Sequence, residues 1–500
     1  MKNTVILIIN LLLGFEIYSQ TLVSGGIYSN TTWTYMNSPY VVIDTVVVFP
    51  GVTLTIEPGV EVKFNDNVIL EIRQANIIAI GTSSDSIIFT SNSVTPGISS
   101  WGRIFLNQYN KAKFKYCNFE YSNSGLYVMD GGGPTDTLIV VSSNFRNNNY
   151  GIYCWCLANC SQFDYCNFTN NNTGFKVEYY PKMARINHCN FQHNSNNGFY
   201  GSYNYPHTYS GYLNNCLVSF NNSLGIRGAI VDSCSVLNNG TGICHTPNVS
   251  NSTIKNNVYG IESADSVRNC IINSNSQGVY AIFIVNCTID SNLVYGVYYG
   301  GNVTNCQIKN NDIGIYMRDS TYTITQNRIE ENNIGIELGV SLNHIFCNKI
   351  CNNLQYDLKY TNPSNTSVSD NEWCTPDSAS TALVIYDGYD NINYGLVNFL
   401  PIDTTSCYLL TEAFRPDYSN PQLLIYPNPA SISTTVKFEN PNNIKHRFIL
   451  YNVYGQIVYK KENIVGNQFI FNRAGLDNGF YLYHLESETQ IIGNGKLSIN

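Results

Sequence analysis

The sequence predicts an all-β chain: a long parallel β-helix, in which short strands wind into stacked coils, followed by a small antiparallel β-sandwich. Three observations lead there. Asparagine recurs at one point of a repeat of about eighteen residues: Asn148, Asn171, Asn194, Asn221, Asn239, Asn257, Asn275, Asn292, Asn311, Asn332 and Asn353, with Ser122 in the first repeat. Five places before each stands a marker, mostly Cys (Cys117, Cys166, Cys189, Cys216, Cys234, Cys270, Cys287, Cys306), otherwise Ser143, Ser252, Asn327 or Asn348. Two places after the marker every repeat is apolar, from Phe119 to Ile350, and a glycine follows, from Gly125 to Gly335.

A strand–helix–strand unit needs about thirty residues, so this repeat is too short to hold a helix. It suffices for one coil of two or three short strands, and a spacing of two puts marker and apolar residue on one face. Each coil buries its apolar side against its neighbours, which lets a 500-residue chain avoid a single oversized core. Charged residues make up only 12%, while Tyr (38) and Gly (37) are abundant, a composition that suits strands and tight turns. The net charge of −8, without a basic patch, argues against nucleic acid or an anionic membrane as partner.

The elements follow in order. Residues 1–20 read as a secretory signal, with Lys2, an apolar stretch from Val5 to Leu13, and Tyr18-Ser19-Gln20 at its end. No other segment approaches the length of a membrane span. Residues 21–402 form the β-helix, opening with less regular coils such as Val52-x-Leu54-x-Ile56. Wide glycine spacing before Gly225 predicts inserted loops near residues 179–181 and 203–209. Asparagine is expected at the bend because it tolerates left-handed backbone angles, and stacked copies can pass amide hydrogen bonds between coils. A linker at 403–422 precedes a unit at 423–500, whose alternating stretches around 435–438, 448–451, 457–459, 469–471 and 481–484 read as a small antiparallel sandwich.

Two resemblances are carried by particular residues. Asn30-Thr31-Thr32-Trp33, Gly51 to Gly59 and Asp85 to Thr90 resemble the opening coils of secreted bacterial right-handed parallel β-helix proteins, and Asn371-Glu372-Trp373 with Ile385 to Asp390 resembles their closing coil. Cys374 stands where that family commonly has Gly. The tail resembles the type A sorting domain of the type IX secretion system through Tyr426-Pro427-Asn428-Pro429, Leu450 to Gly455, Gly479-Phe480-Tyr481 and Gly495-Lys496-Leu497-Ser498-Ile499. That resemblance implies a Bacteroidetes-type cell, Sec export, the type IX machinery as partner, and a surface-anchored or released body.

The chemistry-bearing residues are few. The Cys column shares its face with the Phe/Ile column and is expected to be stacked, buried thiols. Cys154, Cys156 and Cys160 lack a matched second half for a metal site and read as a loop disulfide. Cys374 and Cys407 are a candidate bridge in the cap. Asp290, Asp312, Glu330 and Glu331 are not expected to share a column, and Arg185, His188 and His193 are the one basic group worth testing. A tyrosine column follows the glycines: Tyr127, Tyr153, Tyr200, Tyr280, Tyr298 and Tyr316 are expected to point outward, the last three as binding residues for sugar rings. No catalytic residue, metal or cofactor is assigned. The function expected is a non-enzymatic glycan-binding or adhesion protein at the cell surface or outside the cell, with extracellular polysaccharide as a partner. The alternatives are a polysaccharide lyase or hydrolase, and a structural spacer.

Overall fold

The structure, a computed structural model, describes residues 20–403 and 423–499, apart from 130–136, 156–160, 179–182, 203–208, 342–343, 427, 439, 441–443, 453–456, 474 and 488–490. The signal segment, nearly all of the linker, Cys156, Cys160, Cys407 and Pro427 therefore lie outside the described residues. The chain divides into two compact units, residues 1–410 and 411–500.

The first unit is a parallel β-solenoid of about 14 turns. A typical coil holds three strands. The marker strand Asn190–Gln192 is followed by a glycine strand, Asn197–Gly201, and a return strand, Gly211–Asn214. Between residues 241 and 285 the last two merge into single long strands, Thr241–Ser250, Tyr259–Arg268 and Gln277–Val285, and they separate again from Tyr295–Tyr298 on. Every strand pairs in parallel with its equivalent one coil on. The apolar column is in register throughout: Phe119, Phe145, Phe168, Phe191, Val218, Val236, Ile254, Ile272, Ile289, Ile308, Ile329 and Ile350 are successive partners. All twelve are fully buried. Phe89, Phe119, Phe145, Phe168 and Phe191 stack ring on ring at 4.5–5.0 Å.

The asparagine column forms a continuous hydrogen-bonded ladder. Asn239 is representative: its Nδ2 donates to Asn257 Oδ1 (3.1 Å) and to the Val218 carbonyl (3.1 Å), while its backbone N–H also donates to Asn257 Oδ1 (2.8 Å). The same bonds run from Asn148 to Asn353, and Asp357 Oδ1 closes the far end by accepting from Asn353. One detail of the expectation is corrected. The left-handed residue lies one place upstream, at Asn147, Asn170, His193, Phe220, Asn238, Asn256 and their equivalents. The column asparagine is buried just inside the bend, where its amide satisfies backbone donors and acceptors that the turn strips from the sheet.

The marker position works in the same way. Another left-handed residue precedes it, and the marker side chain accepts the N–H of its equivalent one coil back: Cys234 Sγ from Cys216 (3.4 Å), Ser252 Oγ from Cys234 (3.0 Å), Asn327 Oδ1 from Cys306 (2.9 Å). Cys, Ser and Asn alternate there because each presents an acceptor on a short stem. Asn327, Asn348 and Asn371 continue the column as a second amide ladder. The glycines are needed for close approach: a Cβ on Gly242 would lie 2.5 Å from the Gly260 carbonyl oxygen.

In the closing coils a short helix, Ser378–Ala382, is capped by Asp377, and Cys351 is disulfide-bonded to Cys374. That pairing corrects the proposed Cys374–Cys407 bridge. Cys374 follows a strand register that sets Glu372 beside Lys349, which brings it next to Cys351.

The second unit holds two antiparallel sheets. One joins Leu423–Tyr426, Ser433–Phe438 and Gln468–Asn472; the other runs Ile457–Ile464, His446–Tyr451, Gly479–Ser487, Ile491–Ile499. Val436, Phe438, Phe448, Leu450, Phe471, Leu485 and Leu497 form the core between them.

Candidate functional site

The outer face of the glycine strands carries the tyrosine column. Register places Phe105, Tyr127, Tyr153, Lys176, Tyr200, Arg227, Cys244, Glu262 and Tyr280 at equivalent outward positions, and continues Tyr298, Tyr316, Glu337 and Lys359. Two stretches of this face differ in what they leave open.

In the first stretch the rings cover one another. Tyr127 and Tyr153 stack at 5.0 Å with planes 6° apart, the Arg103 guanidinium lies 4.5 Å over Tyr127, and the Lys176 ammonium lies 5.2 Å from the Tyr153 centroid. Arg227 covers Tyr200 at 4.9 Å. Stacked and cation-capped rings show solvent their edges, which suits an aromatic ladder that packs on itself.

The second stretch is a tyrosine cluster. Tyr298 is only 3% exposed and donates its hydroxyl to the Ile261 carbonyl (3.3 Å); burial pushes its phenol well above the usual range. Tyr316 is 8% exposed, stacked on Tyr295 at 5.0 Å and covered by Arg318, whose Nε donates to the Tyr316 hydroxyl. The expectation that Tyr298 and Tyr316 point bare into solvent is thus corrected, because the coils are close enough for neighbouring rings to close over them. Tyr280 is partly exposed and tilts 44° against Tyr298.

The ring that does present a face is Tyr299, which the column pattern missed. It is 57% exposed and steeply inclined to both neighbours, at 69° to Tyr298 and 60° to Tyr316. It has a left-handed backbone and precedes Gly300 and Gly301, also at positive φ, where the chain turns from the strand Tyr295–Tyr298 to the strand Asn302–Thr304. The signal in the sequence is Tyr298-Tyr299-Gly300-Gly301, a pair of glycines where other repeats continue the strand. Tyr259 lies on the same face, 36% exposed, in register with Gln277 and Tyr295. Tyr322 closes the cluster by lying against Gly300.

The charged groups do not form a paired catalytic centre. On this face Glu262 and Glu337 are four strand spacings apart, about 19 Å, whereas paired carboxylates of glycosidases stand about 5–10 Å apart. On the marker-strand face, Asp290 and Glu330 do share a column, contrary to expectation, with Lys309 between them. Glu330 is 6% exposed and ion-paired with Arg328, while Asp290 accepts from Ser291 and Asn310. His188 and His193 sit at two different corners of one coil, stacked on Tyr165 and Phe220 respectively, so the basic group does not converge. Among the described residues no group of three or more His, Cys, Asp or Glu side chains is placed to hold a metal ion.

The comparisons with known proteins divide along the same two units. Residues 25–123 match the pectate-lyase like beta helix domain family, and residues 207–393 match the periplasmic copper-binding protein (NosD) family. Residues 424–500 match the secretion system C-terminal sorting domain family. The C-terminal unit is a secretion sorting domain. No curated protein matches the chain. Among solved structures, the tailspike protein gp49 from Acinetobacter baumannii bacteriophage Fri1, a capsular polysaccharide depolymerase, is 12% identical with a TM-score of 0.24, covering 89% of this chain and 73% of its own. The periplasmic alginate epimerase AlgG is 10% identical with a TM-score of 0.20, covering 74% and 84%.

Within the sorting domain, two motifs distant in sequence meet. Asn428 Oδ1 accepts from the Ser498 N–H (2.8 Å), and the Ala430 N–H donates to the Ser498 carbonyl (2.8 Å). Asn428 and Ala430 are thereby tied to the final strand, which also carries Gly495 and Lys496, and Gly479 pairs with Ile499 at its end. The sorting domain indicates type IX secretion to the extracellular or cell-surface space, and no helix among the described residues is long and apolar enough to cross a membrane.

Proposed function

We propose that this is an exported β-solenoid that binds glycans without cleaving them, through the tyrosine cluster around Tyr299. The observation that carries the reading is the Tyr299 ring, more than half exposed and steeply inclined to its neighbours, set among Tyr259, Tyr280, Tyr295 and Tyr322. An aromatic face offers sugar C–H groups an apolar platform, while phenol, amide and carboxylate groups at its margin suit the hydroxyls. The wide separation of Glu262 and Glu337 argues for binding over hydrolysis. The copper binding in the name of the family matched by residues 207–393 does not fit these residues. The column thiols there are buried, and each donates to a backbone carbonyl, as Cys270 does to Arg268 (3.1 Å).

The test is incubation of the purified full-length protein with a polysaccharide panel, scored for retention and for new reducing ends or unsaturated products. Retention without products is expected. Product formation on any polysaccharide would replace the proposal with a lyase or hydrolase, and absence of both leaves the spacer reading in its place.

A further inference from the structure

Resting on the glycan-binding reading, we infer that the tyrosine cluster takes a neutral polysaccharide and that Tyr299 is its stacking platform. The charge around the cluster carries the first part. The carboxylates about the cluster are Glu262, Glu337 and Asp319; the cations are Arg318, Lys359 and, two coils from Glu262, Arg227, which lies on the Tyr200 ring at 4.9 Å and donates to the Gly201 carbonyl (3.0 Å). Lys359 is paired with Glu337 at 3.1 Å, and Arg318 is held on the Tyr316 ring at 5.0 Å and on its hydroxyl. Glu262 lies next to Tyr280 in register, and burial, with the Glu262 charge adding to it, raises the Tyr298 phenol. Three carboxylates stand against three cations that are all engaged, on a chain whose net charge is −8. An anionic polymer laid there meets Glu262 with no cation left to pair with it, so like-charge repulsion disfavours it. A neutral glycan meets acceptors its hydroxyls can satisfy, at Glu262, Gln277 and the tyrosine hydroxyls.

Geometry carries the second part. From Tyr259 to the strand of Tyr316 is three strand spacings, about 14 Å, a length that fits an oligosaccharide of a few units running along the solenoid. Tyr298 and Tyr316 are covered, and Tyr299 alone among the clustered rings is more than half exposed with its plane turned across the ladder. The covered rings fix the platform from beneath.

The test is affinity electrophoresis of the full-length protein in gels containing laminarin, galactomannan or hydroxyethylcellulose as neutral probes and polygalacturonate or alginate as anionic ones. Retardation by at least one neutral probe and by neither anionic probe is expected. Tyr299→Ala is expected to weaken retention about tenfold, Tyr299→Phe to keep it, and Tyr153→Ala, in the self-covered ladder, to leave it unchanged. Circular dichroism confirms that each variant is folded. Retardation by the anionic probes, relieved by salt, overturns the neutral assignment while leaving glycan binding intact. Neutral binding insensitive to Tyr299→Ala overturns the site. Failure with every probe of both classes removes the glycan-binding reading and this inference with it.

Discussion

At Asn257 one amide serves four partners: Nδ2 donates to the Val236 and Lys255 carbonyls and to Asn275 Oδ1, while Oδ1 accepts from Asn239. Removing it strands buried backbone groups, and a buried unsatisfied group costs about 1–3 kcal/mol. Asn257→Ala is therefore expected to lower the urea midpoint clearly. Asn256→Gly, at the left-handed position one place upstream (φ 58°), should leave it unchanged or raised, because glycine adopts that angle freely. Equal loss in both would contradict the division of labour between bend and ladder. The ladder ends on Asp357, whose carboxyl is pushed up to about 6, mainly by burial, although donations from Asn353 pull the other way. Between about pH 4 and about pH 6 the folded chain therefore holds a proton that the unfolded chain, with its carboxyl near the ordinary 3.8, does not. Its contribution favours folding below about pH 4 and fades as pH rises to about 6. Asp357→Asn should raise stability at pH 7.5 by on the order of 2 kcal/mol and flatten that part of the profile, as thermal melts across pH can show. The buried thiols make a similar point: burial pushes Cys244 up to about 12, so the thiols of the column and Cys244 should resist a thiol reagent until the protein unfolds. Rapid labelling in the native state would contradict their burial.

At the scale of the strand, close approach between coils decides what is tolerated. Gly242→Ala places a methyl 2.5 Å from the Gly260 carbonyl oxygen, and overpacking of this kind costs about 1–3 kcal/mol, measurable as a lowered melting temperature. This scale is also where the sequence is most legible. A strand alternates faces with period two, so the spacing of marker, apolar residue and glycine already states which residues share a face, and the observed register follows that alignment column by column. What periodicity cannot state is how completely neighbours cover an outward side chain. Tyr298 and Tyr316 are outward by parity yet closed over by Arg318, Tyr295 and Tyr299, because exposure depends on side chains one or two coils away. Tyr299 breaks parity at a glycine pair and so fell outside the column. The Cys351–Cys374 pairing was equally hidden, since it depends on the register of an irregular closing coil.

For the whole molecule, two units answer two questions. The sorting domain specifies destination: a chain lacking residues 423–500 is expected to stay within the cell envelope, visible as loss of the protein from surface and medium fractions on immunoblots. The solenoid presents a long, regular surface on which the tyrosine cluster is the departure from regularity, and this departure is the proposed binding site. Hydrogen exchange of the full-length protein with and without laminarin or galactomannan, whichever is retained, tests it most directly. Added protection is expected to be confined to the strands and turn between residues 259 and 322, centred on 295–301. Protection spread over the self-covered ladder at 103–227, or none in the presence of bound glycan, would contradict it.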